Sequence, residues 1–172
     1  VLSGWMIFAA AAATVPVATA AAADASTASS SPQVTTAQIP AEKQTVLGLY
    51  VTAKEAYQRW EAAPDKVKII DVRTPEEVFW VGHPPMAWKI PVVAVTYEWD
   101  ADKKQFPMRP LPDFVARVQK VAKPDDTLMV MCRSGGRGAM AVNLLAKAGY
   151  KNVYNVIDGM EGDSVDDPDS VF

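Results

Sequence analysis

At 172 residues, with 49% hydrophobic and 22% charged side chains, the chain has the proportions of one globular domain, which excludes a fibre, a wholly disordered protein and a large multidomain enzyme. Seventeen Lys and Arg against 20 Asp and Glu leave a formal charge of −3, the wrong balance for a general nucleic-acid binder. One Cys and one His exclude an internal disulfide framework, a Cys-based zinc site and a His cluster, so neither a metal nor another cofactor is expected.

The chain starts at Val1 without Met or a basic leader, and its beginning is expected to be missing. No Lys or Arg precedes Lys43, and residues 5–23 read WMIFAAAAATVPVATAAAA, the apolar stretch of an export signal. Ala18-Thr19-Ala20 and Ala23-Asp24-Ala25 both show the small-residue alternation of a cleavage site, and on the second of these residues 1–25 are assigned to a signal peptide. An exported, periplasmic protein follows. The alternative is an anchor retained over residues 5–23, the one case in which a membrane becomes a partner, although Pro16 and the Ala run weaken it as a span. Residues 26–40, STASSSPQVTTAQIP, hold too few large apolar side chains to pack, and form a linker. Residues 41–172 make the folded domain; its acidic end, VDDPDSVF, carries no closing helix, and the chain is expected to continue past Phe172.

Within the domain, Thr52-Ala53-Lys54-Glu55 is a capping box that predicts a helix from Ala53 to about Ala62. Val67 to Val72 is a short β-branched run suited to a buried strand. Thr74-Pro75-Glu76-Glu77 is a second capping box, with Pro at the first helical position, and predicts a short helix to about Trp80. Ala87 to Ile90 reads as a strand stopped by Pro91, and Val92 to Tyr97 as a strand or extended segment. Pro110-Leu111-Pro112-Asp113 opens a helix whose Phe114, Val115, Val118 and Val121 recur at helical spacing. Thr127 to Met131 is a second buried strand, followed by Cys132-Arg133-Ser134-Gly135-Gly136-Arg137-Gly138 and a helix closed by Gly149. A last strand, Val153 to Val156, precedes an Asp158-Gly159 turn. Short buried strands alternating with helices imply an α/β fold with a largely parallel sheet covered on both faces.

Sites in such sheets form outside the carboxyl ends of the strands, where Cys132 stands. A six-residue turn from Cys132 to Arg137 that leads into a helix N-terminus points its amides inward and makes an anion cradle. Gly135 and Gly136 allow backbone conformations closed to other residues and put no side chain between the amides and a guest. The helix dipole and two guanidiniums are expected to draw the thiol below its usual pKa of about 8.5, and Arg133 and Arg137 match a small oxyanion held beside the sulfur. A lone Cys at a strand end is by default a small apolar residue; its Arg and Gly company in an exported chain points instead to a nucleophile.

Together, DVRTPEE from Asp71 to Glu77, GHPPMAWKIP from Gly82 to Pro91, CRSGGR from Cys132 to Arg137 and GYKNVYNVIDGMEG from Gly149 to Gly162 resemble a single-domain rhodanese, a sulfurtransferase. The resemblance implies a central, mostly parallel sheet flanked by helices on both faces. It also implies a Cys that cycles between thiolate and persulfide: Cys132 would take the outer sulfur of thiosulfate, or of a similar small anionic donor, and pass it to a thiol or cyanide acceptor. By the same resemblance Arg133 and Arg137 would bind the donor anion, and the amides from Arg133 through Ser134, Gly135 and Gly136 to Gly138 would cradle the persulfide. The chain departs from the family where Gly159-Met160-Glu161-Gly162-Asp163 replaces its usual Trp, and where Gly-His-Pro-Pro replaces Gly-His-Ile-Pro. Both leave acceptor specificity open.

Other assignments compete. A Cys-dependent phosphatase or arsenate reductase uses a cradle one residue longer, with Arg sixth after Cys; here that place is Gly138, and Met131 rather than His precedes the Cys. A sulfur carrier or redox sensor that accepts a persulfide on Cys132 without turnover would use the same activated thiol. His83 fits a turn hydrogen bond better than a base, because thiolate attack needs none. Asp71 and Arg73 flank a strand end, either supporting the active loop or forming a structural ion pair. The Trp residues are expected in the core, and the acidic segment from Asp163 to Asp169 lacks the spacing of a calcium loop. Nothing in the sequence indicates an oligomeric state.

Overall fold

The computed structural model describes residues 39–163. The segments expected to be an export signal and a linker, through residue 38, and the acidic end from residue 164 lie outside the described residues. No helix among the described residues is long and apolar enough to cross a membrane.

A 3-10 turn, Ala41–Lys43, leads into β1 (Tyr50–Val51), α1 (Ala53–Ala62), β2 (Val67–Asp71), α2 (Pro75–Val81), β3 (Trp88–Lys89), β4 (Val93–Val95), β5 (Met108–Pro110), α3 (Phe114–Gln119), β6 (Thr127–Met131), α4 (Gly136–Lys147) and β7 (Val153–Val156). Both capping boxes form. The hydroxyl of Thr52 accepts from the Glu55 amide while the Glu55 carboxylate accepts from the Thr52 amide, and Thr74 and Glu77 reciprocate in the same way at the start of α2.

Five strands pair in parallel in the order β1-β7-β6-β2-β3. Alternation along them sends Ile70, Val72, Leu128, Val130 and Val153 to one face, where they meet Phe114 and Val118 of α3 and Ala141, Val142 and Leu145 of α4. Val51, Val67, Ile69, Met129, Met131 and Val156 take the other face, against Ala56 and Trp60 of α1. Helices on both faces are what allow the central strands to be apolar at most positions.

One element is added and one expectation changes. The segment from Val92 to Tyr97 holds the strand β4, as read, but β4 pairs antiparallel with β5, a strand not expected, as a separate two-stranded ribbon. Its second strand, Met-Arg-Pro, is exposed at all three positions and so carries no alternation to read. Of the Trp residues expected in the core, Trp60 packs against it, Trp5 lies outside the described residues, and the other three stay at the surface. Trp80, Trp88 and Trp99 are 80%, 49% and 57% exposed, because they stand at the end of α2, on the two-residue edge strand β3 and in the β4–β5 connection, away from the sheet–helix interfaces; Trp80 and Trp99 meet the exposed rings of Phe79 and Phe106 edge-on. Aliphatic side chains and Ala fill most of the space between sheet and helices instead.

Candidate active site

Asp71 of β2 pairs in register with Met131 of β6, and the Val72 amide donates to the Met131 carbonyl at 2.9 Å. The two central strands therefore end level, and the segments that follow them share the carboxyl edge of the sheet. Cys132 is the first residue after β6, 1% exposed, and its Sγ accepts a hydrogen bond from the Gly135 amide at 3.1 Å.

The turn is tighter than the six residues expected from its sequence. α4 begins at Gly136, capped by Gly135 at φ 98°, so Gly136, Arg137 and Gly138 are the first turn of the helix rather than part of a loop. Close approach to β7 and the segment after it makes this possible. A Cβ on Gly135 would lie 2.6 Å from the Ile157 carbonyl oxygen, and one on Gly138 would overlap the Asn155 carboxamide. Among the described residues, the Gly135 amide is the one donor to Sγ; the amides of Arg133, Ser134, Gly136, Arg137 and Gly138 do not reach it.

A cleft of about 520 Å³ opens at Cys132, walled by Glu77, Met108, Arg133, Ser134, Gly136, Arg137 and Glu161. Arg133 is exposed, and among the described residues no carboxylate pairs with it. Arg137, expected to meet a donor anion, already holds a carboxylate with two of its five N–H groups. Its Nη1 and Nη2 each donate to one oxygen of Glu77 at 2.5 Å, a bidentate pair with both side chains largely buried. Burial pushes the Glu77 carboxyl up, but the hydrogen bonds from Arg137 and Thr74 and the charge of Arg137 together outweigh it and hold the group below its ordinary value. The hydrogen bonds to Glu77 raise Arg137 against the opposing effect of burial.

Three supports hold the turn from behind. The fully buried Asn155 of β7 donates through Nδ2 to the carbonyls of Lys43 at 3.0 Å and Gly135 at 3.1 Å. Lys43 is itself buried and donates to the Ile157 carbonyl at 3.0 Å and to Asp163 at 2.5 Å. The Asp158-Gly159 turn folds over the Cys loop, with the amides of Met160 and Glu161 donating to the carbonyls of Cys132 and Arg133 at 2.9 Å.

Asp71 and Arg73 form a fully buried pair, with Arg73 Nη2 donating to Asp71 at 2.7 Å and to the Gly82 carbonyl at 2.8 Å. The pair ties the end of β2 to the end of α2 and does not line the Cys132 cleft. His83 lies apart as well: its Nδ1 is 3.1 Å from the Pro84 carbonyl, and it lines a separate cleft of about 660 Å³ with Arg73 and Lys89 on another face of α2. Sequence reasoning treated Glu77 only as a helix cap and did not single out Lys43, Met108, Asn155 or Glu161. The one available signal was that Glu77 closes the DVRTPEE motif.

A five-strand parallel sheet between helices, with a Cys loop running into a helix at its carboxyl edge, defines an α/β domain built around a single thiol. The rhodanese-like domain family matches residues 52–164, and the chain belongs to that family. It is similar to the uncharacterized protein RP600 of Rickettsia prowazekii, 34% identical over 98 residues, 57% of this chain and 72% of that one. It is also similar to the chloroplastic thiosulfate sulfurtransferase 16 of Arabidopsis thaliana, 33% identical over 92 residues, 54% of this chain and 69% of that one. Among solved structures, Rv0390 from M. tuberculosis aligns over 67% of this chain and 82% of its own at 25% identity, with a TM-score of 0.48.

Proposed function

We propose that the protein is a sulfurtransferase that carries sulfane sulfur on Cys132, with thiosulfate or a similar anionic donor. The observation that carries this reading is the Cys132 Sγ held 3.1 Å from the Gly135 amide where α4 begins, in a cleft that also presents Arg133. The thiolate attacks the outer sulfur of thiosulfate, the S–S bond breaks, and sulfite leaves with the bonding electrons. The persulfide left on Cys132 then gives its outer sulfur to a thiolate or cyanide, which restores the thiolate. Arg133 and Arg137 serve the donor's oxygens. The Gly135 amide and the helically unpaired first amides of α4 stabilise the persulfide, with Ser134, Gly136 and Gly138 shaping the turn. Asp71 and Arg73 act by holding the neighbouring strand end. The reading extends to export: the apolar segment of residues 5–23 supports an activity outside the cytoplasm, which fractionation of cells and sequencing of the mature amino terminus together check.

The test is sulfite release from thiosulfate, with and without thiol or cyanide, together with intact masses of the wild type and Cys132→Ser. Catalytic sulfite and one added sulfur on the wild type alone are expected. One sulfur gained without turnover favours a carrier or sensor, and no gain at all refutes the reading.

A further inference from the structure

Among the described residues, the four charged side chains that line the Cys132 cleft are Arg133, Arg137, Glu77 and Glu161, whose charges cancel. The cleft is therefore not the strongly positive cradle that two Arg residues suggest on their own. Glu77 is also not a loose surface charge. One of its oxygens accepts from Arg137 at 2.5 Å and the other accepts both from Arg137 at 2.5 Å and from the Thr74 amide at 3.0 Å, so moving it breaks the ion pair and the cap of α2 together. A donor anion that uses the remaining N–H groups of Arg137 meets a guanidinium whose charge is already matched by a seated carboxylate, beside a second carboxylate on Glu161.

We infer that Glu77 is a positioning residue that sets the charge preference of the donor site: its carboxylate acts as a built-in competing anion on Arg137, disfavouring dianionic donors relative to donors with a single negative charge. The inference rests on the sulfurtransferase reading for its donors and on the geometry of the cleft for its direction. Thiosulfate brings two charges into a cleft whose Arg and Glu charges cancel and whose Cys132 thiolate is itself negative. A thiosulfonate, RSO2S⁻, brings one and offers the same outer sulfur, leaving as RSO2⁻ with the bonding electrons when Cys132 takes that sulfur.

Glu77→Gln is the test, because the amide oxygen can still cap Thr74 while the charge is lost. The ratio of kcat/KM for thiosulfate to that for methanethiosulfonate is expected to rise about tenfold, through KM rather than kcat. A merely structural Glu77 would lower both donors alike and leave the ratio unmoved, which overturns the inference. A second measurement needs no turnover: in a Cys132→Ser background, calorimetric binding of thiosulfate is expected to tighten about tenfold on adding Glu77→Gln. Tighter binding with no sulfur transfer by the wild type would discard the sulfurtransferase reading and keep the role of Glu77; unchanged or weaker binding overturns that role. Should Glu77→Gln not fold, Glu77→Asp keeps the charge and the capping position but is one methylene too short for the bidentate contact, and it is expected to shift thiosulfate binding in the same direction. No shift there is equally a refutation.

Discussion

Gly135 and Gly149 share a backbone conformation but not their surroundings, and together they separate strain from packing at the active loop. Their φ angles are +98° and +93°, in the region that L side chains rarely adopt. A Cβ at Gly149 would meet nothing within 4 Å, whereas one at Gly135 would lie 2.6 Å from the Ile157 carbonyl oxygen and 3.1 Å from Lys43 Cδ. Gly149→Ala thus carries backbone strain alone, about 1–2 kcal/mol. Gly135→Ala carries the same strain plus overpacking against main chain that cannot rotate away, roughly another 1–3 kcal/mol. Urea unfolding at constant slope is expected to show Gly135→Ala as the less stable variant by that second amount. Sulfur loading of Cys132, read by intact mass, is expected to fall in Gly135→Ala, because the clash displaces the amide that faces Sγ, and to stay at the wild-type level in Gly149→Ala. Equal losses of stability, or full loading of Gly135→Ala, would refute the assignment of that amide.

Asn155→Ala removes the two hydrogen bonds that join the Lys43 turn to the Gly135 carbonyl; a loss of about 2–3 kcal/mol in urea unfolding is expected. Asp71→Asn leaves the buried Arg73 guanidinium without its counter-charge and is expected to destabilise by roughly 3–5 kcal/mol, while the joint change Asp71→Leu with Arg73→Met recovers most of that loss. Glu77 has a pKa held below its unfolded value, so its contribution to stability is complete above the unfolded carboxylate value of about 4.3 and disappears as pH falls through the lower folded value. The difference in unfolding free energy between the wild type and Glu77→Gln is therefore expected to be constant near neutrality and to shrink on acidification below about pH 4; a difference that grows in acid would contradict the sign.

The elements that the sequence made legible are those whose cause lies within four residues. Thr52 with Glu55 and Thr74 with Glu77 fix two helix starts because both partners of each box sit in one turn. The runs Val67 to Asp71 and Thr127 to Met131 are readable as strands because each is short and dominated by buried apolar side chains, with Lys68, Asp71 and Thr127 too few to impose a helical period. β5 was not legible. Its Met-Arg-Pro is exposed throughout, and it is a strand only because β4 lies beside it. The three exposed Trp positions failed for a related reason: size and apolarity say what a side chain gains in a core, but not whether its backbone reaches one.

The site divides along the same line. Cys132, the glycines and the two Arg residues of the loop are contiguous, so their chemistry could be stated from spacing. What they do together depends on partners far along the chain: Glu77 is 60 residues from Arg137, Asn155 is 20 from Gly135, and Lys43 is 114 from Ile157. Each contact exists because β2 and β7 flank β6, an order that no local signal specifies. This changes the electrostatic conclusion, not only its detail. Read as a loop, the segment presents two positive charges to a donor; folded, it faces a cleft where Glu77 and Glu161 cancel them. The choice of donor then turns on a carboxylate in α2, a segment whose sequence signal is that of a helix cap.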